Sequence, residues 1–364
     1  MPRRPTLRHL AAAAGVSRST ASNAYNRPDQ LSAELRERVL ATAARIGYPG
    51  PSPAGSALRR GRSGSLAVLL GDRLGYAFSD PAAAVFLDGL AEAVEDDGFA
   101  LLVLPGARTG GGPAPEAVRS AVVDAVVAYS LPDDDPAIAA VRDRGLPLVT
   151  VDQPALAGVP AVRIDDVGGA RAVAGHVLGL GHSRLAVVAF ELGTDGWRGP
   201  ADLQRQGRAT FGVTRDRLAG YRAAVESAGL GWADVPVLEC PHNAHAEGVG
   251  ALAALLPGRP TAVLAMSDEL ALGIVQGATD AGLSLPGDLT VTGFDDTAAA
   301  ARAGLTTVRQ PLRDKGVRAG EQVLALLAGD DPQAETLPTE LVVRSSSAPP
   351  PAPRAGQQAG AGRP

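Results

Sequence analysis

The chain has 364 residues, 45% of them apolar and 20% charged, with a net charge of −5. That make-up is ordinary for a globular protein with room for a small domain and one or two larger ones. A single cysteine, Cys240, excludes an internal disulfide framework and fits a reducing compartment, and no run approaches the roughly 18 apolar residues that span a bilayer.

The charge is uneven. Residues 1–62 hold 11 arginines and three acids (Asp29, Glu34, Glu37), a net of +8, which leaves −13 on the other 302. A basic head on an acidic body suits nucleic-acid binding confined to the head. The opening arginines and the alanine-rich run after them do not make a signal peptide. The run is short and passes straight into Ser17-Arg18-Ser19-Thr20, so a cytoplasmic location is expected.

In chain order, Leu7, Leu10, Ala11 and Ala14 fall at i, i+3, i+4 and i+7, the apolar face of a short helix. Thr6 suits its N-cap and Gly15 its end. After a tight turn Ser17 caps a second helix, with Ala21, Ala24 and Tyr25 turned inward. Two short helices joined by a glycine turn make a helix-turn-helix. The second helix presents Arg18, Ser19, Ser22 and Asn23 outward: a cationic fork, hydroxyls and an amide, the groups that read base edges in a major groove. Ser32 caps a third helix, with Leu35, Val39, Ala43 and Ile46 inward and Gly47 at its end. A capping-box Glu is missing, since Leu35 takes that place, but Glu34 favours the helix start. Arg59, Arg60 and Arg62, beside Leu58, lead out of the unit, either as a plain basic linker or as an arm that contacts phosphates. A three-helix bundle without a DNA role is the plain alternative; the cationic outward face and the basic arm speak against it.

From residue 66 onward apolar runs alternate with helical stretches. Strands are expected near 66–70, 99–104, 125–128, 148–151 and 161–164, and again near 185–189, 235–238, 262–265 and 289–291. Helices are expected near 83–94, 136–144, 167–178, 215–227, 246–256 and 268–281. Such alternation means an α/β core with parallel sheets, too long for one simple sheet and so split into two lobes. Open α/β lobes bind ligands at the carboxyl ends of their strands. Asp152 ends one such strand, Ser267 and Asp268 another, and Asp295 and Asp296 a third. A carboxylate accepts from adjacent hydroxyls, and Arg217, early in a helix, offers a planar fork of donors. The bland reading is that these residues cap helices or brace the lobes, and for Asp268 it is as good as the functional one.

The head then resembles a known family. Residues 6–62 are similar to the DNA-binding headpiece of the LacI/GalR family of bacterial transcription regulators. The match runs through Leu10-Ala11, Gly15-Val16-Ser17, Thr20, Ser22, Asn26, Leu31-Ser32, Arg36-Glu37-Arg38-Val39, Gly47-Tyr48 and Ser56-Ala57-Leu58-Arg59. The resemblance implies that the second helix enters the major groove and that a short hinge helix puts Leu58 into the minor groove at the centre of a palindrome. It implies DNA contacts from Thr6, Ser17, Arg18, Ser19, Thr20, Ser22, Asn23, Asn26, Leu58, Arg59 and Arg60. Asn23 stands where most members carry Arg, so the half-site is expected to differ. Gly55 replaces a better helix former, at about 1 kcal/mol of helix propensity.

The later chain also resembles this family, whose core is like a periplasmic sugar-binding protein. The matching stretches are Val151-Asp152-Gln153-Pro154, Asp165 with Gly169-Ala170 and His176, Gly181-His182, Arg217-Leu-Ala-Gly-Tyr221, Pro260-Thr261-Ala262, Asp268-Glu-Leu-Ala-Leu-Gly273, Val291-Thr-Gly-Phe-Asp295-Asp296 and Leu305-Thr-Thr-Val-Arg-Gln310-Pro311. It implies effector contacts from Asp152, Arg217, His242, Asn243, Ser267, Asp268 and Asp295, with a sugar or nucleoside as the effector. Ser267 replaces the amide common at its position. Three crossings between lobes are placed near 164–167, 295–298 and 328–332.

The expected organisation is an all-α helix-turn-helix head at 1–50 and a hinge helix and linker at 51–64. A two-lobed periplasmic-binding-protein-like core follows: 65–165 with 298–328 in the first lobe, and 166–297 with 329–344 in the second. A disordered tail closes the chain at 345–364. The tail lacks the leucine heptads of tetrameric members, so a homodimer is expected. Cys240, His242 and His245 supply no fourth metal ligand, and neither a metal nor a cofactor is expected. Cys240 with His242 is the only nucleophile–base candidate, and no third group orients it, so an enzyme is not expected. A sugar-uptake binding protein would share the core but needs export and no head. The long stretch 191–214, with Trp197 and Phe211, is either a cleft cover or a self-packed flap. The function expected is a ligand-controlled repressor on double-stranded DNA.

Overall fold

The computed structural model describes residues 5–51, 62–106 and 111–351. The chain forms two compact units, divided after Gly64.

The first unit is three helices, α1 (Leu7–Ala14), α2 (Arg18–Asn26) and α3 (Ala33–Ile46). Leu10, Ala11, Ala21, Ala24, Val39 and Ala43 make its core. Small side chains at the α1/α2 contact let the helices approach closely, and Tyr25 and Tyr48 close the open end edge to face at 6.0 Å. Gly15 ends α1 at φ 66°, a conformation a Cβ would strain. Ser17 accepts the Thr20 N–H and Ser32 the Leu35 N–H, so the caps expected at α2 and α3 are made.

The second unit carries a six-stranded parallel sheet, order β12-β5-β4-β3-β1-β2. Its strands are β1 (Ser65–Leu70), β2 (Ala100–Leu104), β3 (Ala125–Tyr129), β4 (Leu148–Val151), β5 (Ala161–Ile164) and β12 (Glu335–Leu337). A second sheet, order β10-β9-β6-β8-β7, joins β6 (Leu185–Ala189), β7 (Gly199–Pro200), β8 (Val237–Glu239), β9 (Ala262–Ala265) and β10 (Thr290–Thr292); only β7 runs antiparallel. β11 (Thr307–Arg309) and β13 (Glu340–Val342) form an antiparallel pair. The continuous apolar runs are explained by burial on both faces: Leu66, Val68, Val127, Val187 and Leu264 are all fully buried. Helices cover the sheets in pairs, Pro81–Glu95 against Leu312–Ala328, and His245–Leu255 against Asp268–Asp280. Glycines face backbone at both crossings: a Cβ on Gly89 would meet the Arg313 carbonyl, and one on Gly273 the His245 carbonyl.

Two expected lobe crossings move. The first stays at 164–166. After Asp295 the chain remains with the second lobe, because the Asp295 N–H bonds the Val308 carbonyl and β11 lies alongside; it crosses only past Arg309. It does not return at 328–332 either, because β12 pairs with β5 in the first sheet and β13 then pairs with β11. These strands are three residues long, and no apolar run marks them. The expected disordered tail also starts too early. Ser346 is buried, its backbone bonds Val291 and Gly304, and the Ala348 carbonyl bonds His182 at 2.8 Å. Residues 352–364 lie outside the described residues.

Candidate DNA-reading face and effector cleft

In the head, α2 holds the expected reading face. Arg18, Ser19 and Asn26 are exposed, and Ser22 and Asn23 are half-buried beside them. Ser17 Oγ bonds Ser19 Oγ at 2.7 Å and Thr20 Oγ1 at 2.8 Å, so these hydroxyls hold one another as well as the helix start. Asn26 Nδ2 donates to the Ser22 carbonyl and hydroxyl, and Asn23 Nδ2 to Gln30 Oε1 at 3.2 Å. Gln30, from the turn after α2, was not expected here; it fixes the orientation of the Asn23 amide. Thr6 is exposed at the start of α1, and its N–H donates to His9 Nδ1. Leu58, Arg59 and Arg60 lie outside the described residues.

In the second unit one cavity gathers groups from both lobes. Asp152, Arg217, Asn243 and Asp295 of the expected effector set line it. Ser130, Asp152 and Asp295 at its wall take φ of 55°, 62° and 128°. Such backbone costs about 1–3 kcal/mol per residue and persists where the surroundings dictate it. Arg217 is buried, with Nε on Asp166 Oδ1 at 2.7 Å, another nitrogen on the Met266 carbonyl, and its guanidinium 3.6 Å from the Phe294 ring centre. Burial still pushes Asp166 up to about 6, more than the guanidinium pulls it down. Burial, reinforced by the Asp268 charge, holds Asp295 well above the usual carboxylate range.

Ser267, Asp268 and His242 are not part of this wall. Ser267 caps the helix Asp268–Asp280, and its hydroxyl donates to Asn243 Oδ1, whose Nδ2 donates to Asp80 Oδ2 at 3.3 Å. It therefore positions Asn243 across the lobes. Asp268 is fully buried and accepts from Thr307 Oγ1 at 2.6 Å and the Thr297 N–H at 2.7 Å, which makes it a brace between segments. His242 sits half-buried, 3.7 Å from Asp72 Oδ2.

Sequence reading missed several wall residues: Asp80, Glu191, Gln310 and above all Lys315. Lys315 is buried and reaches both oxygens of Asp152 at 2.8 Å. A signal was present, since this is the one lysine among 34 cationic residues. Burial pushes Glu191 up to about 7, with Asp72 and Glu239 adding to the rise. In the stretch 191–214, Phe211 lines the cavity. Trp197 does not: Arg205 lies 5.4 Å from its ring while bonding Asp195 and the buried Glu239. The part of the stretch around Trp197 is held on the edge of the second sheet, where Gly199 and Pro200 pair with Glu239 and Leu238. Cys240 is buried and its thiol is pushed up to about 12 by burial, which makes a poor nucleophile. No described helix is long and apolar enough to cross a membrane.

A helix-turn-helix head and a two-lobed core with a polar cleft define a DNA-binding regulator with a ligand-sensing domain. Residues 6–50 match the bacterial regulatory proteins of the lacI family, and residues 174–347 the periplasmic binding protein-like domain. The chain is 44% identical over 352 residues to the HTH-type transcriptional regulator Rv3575c of Mycobacterium tuberculosis, covering 96% of this chain and 98% of that one. A crystal structure of a LacI-family transcriptional regulator from Corynebacterium glutamicum superposes with a TM-score of 0.74 at 34% identity, covering 95% of this chain and all of that one. The complex of the regulator CelR with cellobiose does so with a TM-score of 0.66 at 27% identity, covering 94% of this chain and all of that one. The chain belongs to the LacI family of bacterial transcriptional regulators.

Proposed function

We propose that this regulator is a cytoplasmic repressor that binds a near-palindromic operator as a homodimer and is controlled by a sugar or nucleoside in the cleft. Each head reads a half-site with Arg18, Ser19, Ser22 and Asn23, while Ser17, Thr20 and Asn26 hold the helix start and its partner side chains. Two heads related by a two-fold axis read two half-sites. Leu58, with Arg59 and Arg60, serves as the minor-groove wedge in this reading.

The observation that carries the effector role is the convergence of Asp152, Lys315 and Asp80 from one lobe with Arg217, Asn243 and Asp295 from the other on one cavity. A ligand held from both sides favours one angle between lobes, and it moves the operator equilibrium only by its differential affinity for the two states. Going from 99:1 to 1:99 takes about 5.5 kcal/mol. The cellobiose complex of the CelR relative supports the sugar class.

The test is a gel shift of the full chain on the DNA upstream of its own gene, with and without sugars and nucleosides, beside a turnover assay. The expected result is saturable, salt-sensitive retardation that one compound shifts, without turnover. Turnover without DNA retardation would refute the reading.

A further inference from the structure

The cavity wall is one-sided in charge and in hydrogen-bonding capacity. It carries five carboxylates, Asp72, Asp80, Asp152, Glu191 and Asp295, against two cations, Arg217 and Lys315. Both cations are already engaged by carboxylates. Arg217 is held by Asp166, and Lys315 by both oxygens of Asp152. The Arg217–Asp166 pair is buried, and Lys315 is buried against a part-buried Asp152, so pulling either cation away would strip a shielded carboxylate of its partner, at a cost of several kcal/mol for the fully buried pair. An anionic group entering the cavity therefore meets no cation at its disposal and several acids.

The hydrogen bonds are short on the same side. Among the wall residues, two buried side-chain oxygens without a partner are Gln310 Oε1 and Glu191 Oε2, and both are acceptors. Gln310 is only 7% exposed, and its amide nitrogen is engaged by Asp295 Oδ1 at 2.5 Å. A buried acceptor left unmade costs about 1–3 kcal/mol. The missing complement is an O–H or N–H brought by the ligand, which a fully ionised phosphate does not supply.

We propose that the cleft selects an uncharged, hydroxyl-bearing ligand and rejects the phosphate ester of the same molecule, with Gln310 and Glu191 setting that preference by requiring donors from the ligand. Lys315 is then a positioning residue that fixes the Asp152 carboxylate, not an anion receptor. This rests on the effector reading above and narrows it.

The test uses the full chain in thermal-shift and calorimetric titrations with matched probes: glucose and glucose 6-phosphate, ribose and ribose 5-phosphate, adenosine and adenosine monophosphate, cellobiose, and inorganic phosphate alone. The expected result is that at least one uncharged probe binds, its ester binds at least ~100-fold more weakly, and inorganic phosphate gives no saturable shift. For the uncharged probe that binds, Gln310→Leu and Glu191→Met weaken affinity about tenfold or more. Glu191→Gln, which keeps an acceptor, stays within about threefold. Melting without ligand reports that each variant folds. An ester that binds as well as its parent overturns the proposal while leaving the effector reading intact. So does a phosphate shift lost in Lys315→Met, or wild-type affinity in both Gln310→Leu and Glu191→Met. No binding and no operator response from any probe removes the effector reading and this inference together.

Discussion

The two candidate sites of this protein are built on opposite principles. The candidate reading face of α2 is exposed or half-buried, and its polar side chains bond neighbours at most seven residues away, as Asn23 does with Gln30. The cleft is buried, and its bonds join residues 163 apart, Lys315 to Asp152 and Asn243 to Asp80. A surface made for DNA stays hydrated until DNA arrives, so it carries little strain. A cleft lined by buried charges pairs most of them internally, and it carries raised carboxyl pKa values and backbone in unusual regions.

That contrast breaks most visibly at Arg217. Arg217→Met leaves Asp166 buried without its partner and is expected to lower the stability of the second unit by roughly 3–5 kcal/mol. Urea unfolding followed at the core should show it, with the head unaffected; a loss below about 1 kcal/mol would mean the pair is solvated in solution. The head responds in affinity instead. Arg18→Ala and Asn23→Ala should each weaken operator binding by about 1–3 kcal/mol and relax preference at one base pair, with ligand affinity unchanged in calorimetry. Uniform weakening over all sequences would assign them to phosphates.

The acid side of the cleft sharpens the comparison through pH. Glu191 has its folded pKa raised from 4.5 to about 7, so folding favours its proton and stability falls as pH rises through that window. Asp166, raised from 3.8 to about 6, acts in the same direction between those values. Glu191→Gln removes the buried charge and should gain roughly 1–3 kcal/mol over the parent at pH 8 and almost nothing at pH 4.5. An equal gain at both pH values in urea titrations would contradict the burial argument. The smallest effect is Ser267→Ala, about 1 kcal/mol from the lost cap. It should also loosen Asn243 and weaken ligand binding more than operator binding in the unliganded protein.

How much of this was legible follows from the same contrast. The head could be read because its core and its reading face repeat at helical spacing between Leu7 and Ile46, and Gly15, Ser17 and Ser32 mark its helix ends. The parallel sheets could be read because burial on both faces leaves unbroken apolar runs such as Leu66 to Leu70. The lobe crossings and the tail could not, since β11, β12 and β13 are held by partners far away in sequence. In the cleft, Asp152, Arg217, Asn243 and Asp295 were found at strand ends and by resemblance. Gln310 was not, because nothing local tells a polar side chain on a wall from one in solvent, and Lys315 was marked only by being the single lysine. Asp268 is the instructive case: a carboxylate at a strand end that the fold uses as a strut.

One topological fact reaches into biosynthesis. The first sheet waits for the helix Leu312–Ala328 and β12, and the second for β11 and Ser346. Neither lobe can be completed on the ribosome until almost the entire polypeptide has emerged, whereas the three-helix unit needs only the earliest stretch. Translation thus yields a finished reader long before a finished sensor, and the nascent chain holds its first sheet short of one strand and one covering helix until its last segments arrive.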